Sequence, residues 1–109
     1  MRAYISLDME GATGIVSPEQ VRPGSLEYPF GKAMQAHDLA AVLEGLKAEG
    51  VTDVLVNDSH WNMTNLDVGG LPAGTRLISG SPKPLSMVEG VEGCDAAFCL
   101  ADPGRHYLV

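Results

Sequence analysis

One order of elements limits the folds open to this chain: a short apolar run, a long amphipathic stretch, then a second short apolar run. Arg2–Leu7 is short and carries Tyr4, Ile5 and Leu7, as a central strand covered on both faces would. From Gly31 to Glu49, the residues Ala36, Leu39, Ala40, Leu43 and Leu46 recur at helical spacing, with Gln35, Asp38, Lys47 and Glu49 mostly off that face. Gly50 is a natural stop, and Gly45 weakens the helix by about 1 kcal/mol against alanine. Val51–Val56 is the second strand. Strand, helix and strand in that order form a βαβ unit, whose strands run parallel and end on the same edge of the sheet. Open α/β sheets bind their ligands at that edge.

The rest of the chain extends the same plan. Thr75–Ser79 and Ala96–Leu100 read as a third and fourth strand, and Leu85–Glu92 as a short helix capped from Ser81 or Ser86. The predicted fold class is α/β, a three-layer sandwich with a mostly parallel sheet. Residues 1–109 are read as one domain, with 101–109 an atypical tail. A strand ends at Leu100, a turn follows and no covering helix comes next, so the expectation is a truncated chain. The connection from Gly11 to Phe30 is long for a small domain. Within it Ser17 and Pro18 suit the cap and first position of a short helical turn, whereas Pro23 and Tyr28-Pro29 read as breaks.

The first apolar run ends in Asp8-Met9-Glu10-Gly11, the second in Asn57-Asp58-Ser59-His60. On an extended strand residues i and i+2 point the same way, so Asp8 and Glu10 can aim at one point. Like charges so placed repel, and a cation relieves them. With parallel strands, His60 arrives beside them. Asp8, Glu10 and His60 are therefore the expected metal ligands. A mixed carboxylate and imidazole set suits zinc or manganese better than calcium. Asn57 and Asp58 are expected to orient His60 or to cap the loop, since a metal-bound imidazole usually donates its other N–H to an outer acceptor. Lys83 and Glu89 are further possible site residues, or plain surface charges. His37 reads as an exposed helical histidine.

Composition excludes several classes. A net charge of −7 with scattered Lys and Arg offers no basic stripe for nucleic acid. No apolar run reaches the length of a membrane span, and the start of the chain lacks a signal-peptide pattern, so the expected location is cytoplasmic. Two cysteines are too few for a disulfide framework; on one strand Cys94 and Cys99 would lie about 16 Å apart on opposite faces. Nucleophile elbow, P-loop, His-Glu-x-x-His and Cys-x-x-Cys motifs are all absent.

Three motifs in register, Ser6-Leu7-Asp8-Met9-Glu10-Gly11, Val54–His60, and Leu77-Ile78-Ser79-Gly80 with Lys83-Pro84 and Ser86–Gly90, resemble the M55 family of D-aminopeptidases, the peptidases of dipeptide-transport operons. The similarity runs from Met1 to about Leu100. It implies a zinc aminopeptidase with two ions per site, hydrolysing short D-amino-acid peptides such as D-Ala-D-Ala, assembled into large homo-oligomeric rings. It implies zinc ligation by Asp8, Glu10 and His60, with Asp8 as the bridge. The family carries Gly-Tyr-His after the fourth strand, its histidine a further ligand; here the triplet is Ala101-Asp102-Pro103, and Pro103 cannot bind metal. His106 stands in an unrelated context. The family's remaining glutamate ligand and catalytic histidine have no counterpart up to Val109, so no catalytic residue is assigned, and the chain is expected to be an N-terminal portion that binds zinc weakly and hydrolyses little.

Two other readings stand beside this one. Asp8-x-Glu10-Gly11-x-Thr13 faintly resembles the haloacid-dehalogenase-type phosphatase motif, which would make Asp8 a nucleophile with magnesium; Glu10 and the His60 motif argue against it. A non-catalytic assembly module, pairing its strand edges with a longer subunit, is the second.

Overall fold

The computed structural model describes residues 1–102. Four strands, β1 (Arg2–Leu7), β2 (Asp53–Asp58), β3 (Thr75–Ile78) and β4 (Ala96–Leu100), form one sheet in the order β3-β2-β1-β4. Each neighbouring pair is parallel. The α/β class and the parallel sheet expected from the βαβ pattern are what the chain adopts.

Helix α1 (Tyr28–Ala48) crosses one face. Leu39 and Leu43 pack there on Ala3, Ile5, Leu7, Val54 and Val56. The in-register partners Ala3 with Val54 and Ile5 with Val56 account for this surface, since side chains on parallel strands alternate in phase. Tyr4 and Asn57 belong to the opposite face, which the segment around Ser86–Gly90 covers. The Tyr4 hydroxyl donates to the Glu89 carbonyl at 2.8 Å, and Asn57 Nδ2 donates to the Ser86 carbonyl at 2.9 Å.

Several boundaries differ from expectation for clear reasons. The helix starts at Tyr28, three residues early, and Pro29 sits in its first turn, where a missing N–H leaves nothing unpaired. Its buried stripe is Gly31, Gln35, Leu39 and Leu43, whereas Ala36 and Ala40 are exposed. Strand β2 begins two residues late and runs on through Asn57 and Asp58, polar residues that are fully buried in the ladder. Leu85–Glu92 is not an α-helix; only Ser86–Val88 makes a 3₁₀ turn, and Leu85 and Val88 stay largely exposed. Cys94 and Cys99 are free thiols. Among the described residues no helix is long and apolar enough to cross a membrane. Pro103 and His106 lie outside the described residues.

Candidate metal centre

The register brings the two polar strand ends level. Leu7 pairs with Asp58, and Ser59 N donates to the Leu7 carbonyl at 2.8 Å. On the other side, Asp8 N donates to the Leu100 carbonyl at 3.0 Å. The chain leaves edge strand β3 and returns to β4 beside β1, so these three C-terminal ends form the crevice where the strand order reverses.

Strand β1 stops at Leu7, so period-two alternation does not aim the carboxylates. A turn does it. Met9 N donates to Asp8 Oδ1 at 2.8 Å, and Ala12 N closes on the Met9 carbonyl at 2.9 Å. Met9 is buried, leaving Asp8 and Glu10 on the crevice side. Gly11 is obligatory here: a Cβ would stand 2.9 Å from the carbonyl carbon of Ala101. Its N–H donates to that carbonyl at 2.7 Å, and Ala101 holds a left-handed φ of 58°.

His60 enters the same point. Its Nδ1 lies 2.9 Å from Asp8 Oδ1 and 3.1 Å from Glu10 Oε1, and the ring is 5% exposed. One ligand atom from each of Asp8, Glu10 and His60 falls within 4.8 Å of the others. The imidazole's far nitrogen, Nε2, sits 2.6 Å from the Val21 carbonyl.

The electrostatics are those of a tightly coupled cluster. Burial pushes the Asp8 carboxyl up, but hydrogen bonds with His60, Glu10 and the Met9 amide outweigh it and hold Asp8 below its ordinary value. Burial, reinforced by the neighbouring Asp8, pushes Glu10 up. Burial alone would lower His60, yet Asp8, the Val21 carbonyl and Glu10 raise it. Glu10 Oε1 is buried with no hydrogen-bond donor. A buried, orphaned carboxylate oxygen beside a second carboxylate and an imidazole is a donor set that a zinc-type cation would satisfy.

Asp58, two residues before His60, turns away from it. Its carboxylate accepts the Leu66 amide at 2.8 Å and Asn65 Nδ2 at 2.9 Å. Asn65 Nδ2 also donates to the His60 carbonyl at 2.6 Å, and the Tyr28 hydroxyl donates to Asn65 Oδ1. Asp58 thus closes the loop that presents His60, the capping role expected for it. The outer acceptor on the imidazole is a backbone carbonyl instead, one that no side-chain pattern advertises. Lys83 and Glu89 are not drawn into the cluster. Lys83 Nζ reaches the Asp58 carbonyl, and Glu89 Oε1 accepts the Leu85 amide at 2.8 Å. Both brace the second face. His37 is exposed on α1 as expected.

A cavity of about 370 Å³, lined by Ile15, Val16, Ser17, Pro18 and Val21, opens beside Glu10. A larger apolar cavity of about 1100 Å³ lies between α1 and residues 65–75 and touches none of the three ligand candidates. Of the three ligand candidates, Glu10 lines the smaller one.

A parallel α/β sheet with a carboxylate–carboxylate–imidazole cluster at its switch point defines an α/β protein with a candidate metal centre. Residues 1–105 match the profile of the peptidase M55 family, described as D-aminopeptidase, and the chain belongs to that family. It is 40% identical over 92 residues to a D-aminopeptidase of Bacillus subtilis (strain 168), covering 84% of this chain and 34% of the relative. Its fold matches the solved structure of the Zn-dependent D-aminopeptidase DppA from Bacillus subtilis, described as a self-compartmentalizing protease, with a TM-score of 0.87 and 39% identity over 92% of this chain and 37% of that one. The chain therefore spans about a third of the length of the relatives it matches. Family membership leaves the phosphatase reading of Asp8 without support.

Proposed function

We propose that this chain supplies one side of the active site of a zinc-dependent aminopeptidase acting on short D-amino-acid peptides of the D-Ala-D-Ala type, and that Asp8, Glu10 and His60 are its metal ligands. The convergence of those three side chains on one point, with Glu10 Oε1 buried and without a hydrogen bond, is the observation that carries the reading. Zinc bound there would supply an acidified water and a polarised carbonyl for peptide hydrolysis. Asp8, held ionised by its neighbours, would hold the cation together with Glu10 and with His60 Nδ1; a two-ion site with Asp8 shared, which the family resemblance implies, belongs to the same proposal. The apolar walls of Ile15, Val16, Pro18 and Val21 beside Glu10 offer room for a small aliphatic side chain of the substrate and shield it from water.

Homo-oligomeric assembly belongs to the same proposal, supported by the description of the DppA relative as self-compartmentalizing. So does a cytoplasmic location, which suits the two free thiols. Because Pro103 occupies the position of a further family ligand, the chain alone is proposed to hold zinc less firmly than its longer relatives and to hydrolyse little. Metal content by mass tests the ligand assignment. Dialysed to equilibrium against zinc, the native chain should take up metal, and Asp8→Ala and His60→Ala should each lose most of that uptake. A native chain that takes up none, or variants that take up as much as the native chain, would refute the assignment.

A further inference from the structure

The long connection between β1 and α1 is not idle surface. Gln20, 8% exposed, ties it together: Oε1 accepts Val16 N at 2.6 Å and Ser17 N at 2.9 Å, while Nε2 donates to the Gly14 carbonyl at 3.3 Å. Ser17 caps the 3₁₀ turn Pro18–Val21 in return, its hydroxyl accepting from Glu19 N at 3.3 Å. The turn is pressed against α1 at Gly31, where a Cβ would stand 1.8 Å from the Gln20 carbonyl oxygen. The last residue of this pinned turn is Val21, whose carbonyl meets His60 Nε2 at 2.6 Å.

A carbonyl oxygen only accepts, so Nε2 must carry a proton to make this bond. Nδ1 faces the Asp8 carboxylate at 2.9 Å and Glu10 at 3.1 Å, so without a cation it donates there, and a cation entering at that point takes the place of the Nδ1 proton while Nε2 keeps its own. We infer that Gln20 is a positioning residue: through the Val21 carbonyl it commits His60 to the tautomer that ligates metal through Nδ1. Gln20 touches no ligand candidate directly; it acts by holding a backbone oxygen in place. The role rests on the metal-centre reading given above, and its test separates the two.

The 109-residue chain, with ¹⁵N-labelled histidine, is loaded with ¹¹³Cd as a spectroscopic stand-in for zinc. Cadmium–nitrogen coupling at His60 Nδ1, with the proton on Nε2, is expected. Coupling at Nε2 would overturn the inference. If the chain takes up no metal, the ligand assignment fails, but the long-range proton–nitrogen spectrum of the metal-free ring still reports on Nε2. An Nε2 that carries no proton at neutral pH would overturn the positioning role by itself. Gln20→Leu removes both halves of the tie. It should weaken zinc binding about tenfold in competition with a chromophoric chelator and give mixed tautomers. Gln20→Glu keeps Oε1 and should recover part of the affinity. Gln20→Leu that folds by circular dichroism yet keeps native affinity and a single tautomer would also refute the role. Should Gln20→Leu fail to fold, the ¹¹³Cd and tautomer spectra of the native chain decide the question alone.

Discussion

Asp38 shows how one carboxylate can tie a loop to the helix. Its Oδ2 accepts Thr13 N at 2.8 Å, its Oδ1 lies 3.2 Å from His37 Nδ1, and its side chain is 17% exposed. Burial pushes this carboxyl up, but the Thr13 amide and His37 outweigh it and hold it below its ordinary value. A depressed carboxyl contributes stability that is fully present above its unfolded pKa, about 3.9, and is lost as pH falls through the folded value. Asp38→Asn should therefore cost about 1 kcal/mol at pH 7. The gap from the native chain should narrow as the pH of urea titrations is lowered from about 5 to about 2. A gap independent of pH would disprove the linkage. Asp58 is the stronger case, because it is fully buried and accepts two backbone amides and one side-chain amide. Asp58→Ala strands these donors away from water and should cost about 3 kcal/mol, read as a fall in thermal midpoint.

Two glycines of α1 make opposite predictions. Gly31 faces the Gln20 carbonyl so closely that any side chain must part the helix from the 3₁₀ turn. Gly31→Ala should cost about 2 kcal/mol by overpacking. Gly45, exposed on the same helix with nothing within 4 Å of an added Cβ, should gain about 0.5–1 kcal/mol as alanine. Paired thermal melts of the two variants would separate contact from propensity. The contrast also marks what can be read from letters alone. Apolar runs made all four strands and α1 legible, because burial selects those residues wherever the chain goes. Polar residues that bury by hydrogen bonding leave no such mark: Gln35, expected off the apolar face, lies fully buried with Nε2 donating to the Asp8 carbonyl at 3.2 Å, and Asn57 and Asp58, beyond the apolar run Val51–Val56, complete strand β2. The cluster of ligand candidates was legible because parallel strands align their ends. The Val21 carbonyl was not, since a backbone oxygen leaves no mark on the sequence; Ser17 with Gln20 three residues on was the one signal that could have pointed to it.

The two edges of the sheet are defended differently. On β3, Arg76 projects to solvent and bonds Asp53 at 3.0 Å, with Arg2 joining the same carboxylate at 3.0 Å. Such charge discourages pairing with another chain. On β4 the sequence Ala96–Leu100 carries no charge, and Ala97, Phe98 and Cys99 are exposed. Phe98 pairs in register with Ile5, which is wholly buried, whereas Phe98 itself is 42% exposed. An uncharged, apolar edge strand of this kind is a template for association. The purified 109-residue chain should therefore self-associate at roughly micromolar to millimolar concentrations, the range in which unpaired strand edges drive association. Phe98→Glu should shift sedimentation toward the monomer without changing the circular dichroism spectrum, because the new carboxylate stays in water and the core contacts of Ile5 are untouched. Arg76→Ala on the opposite edge should leave the native association unchanged. Equal sedimentation of the native chain and Phe98→Glu would show that β4 is not the adhesive edge, and the contacts between copies would then have to come from another surface, the apolar groove beside α1 being the next to test.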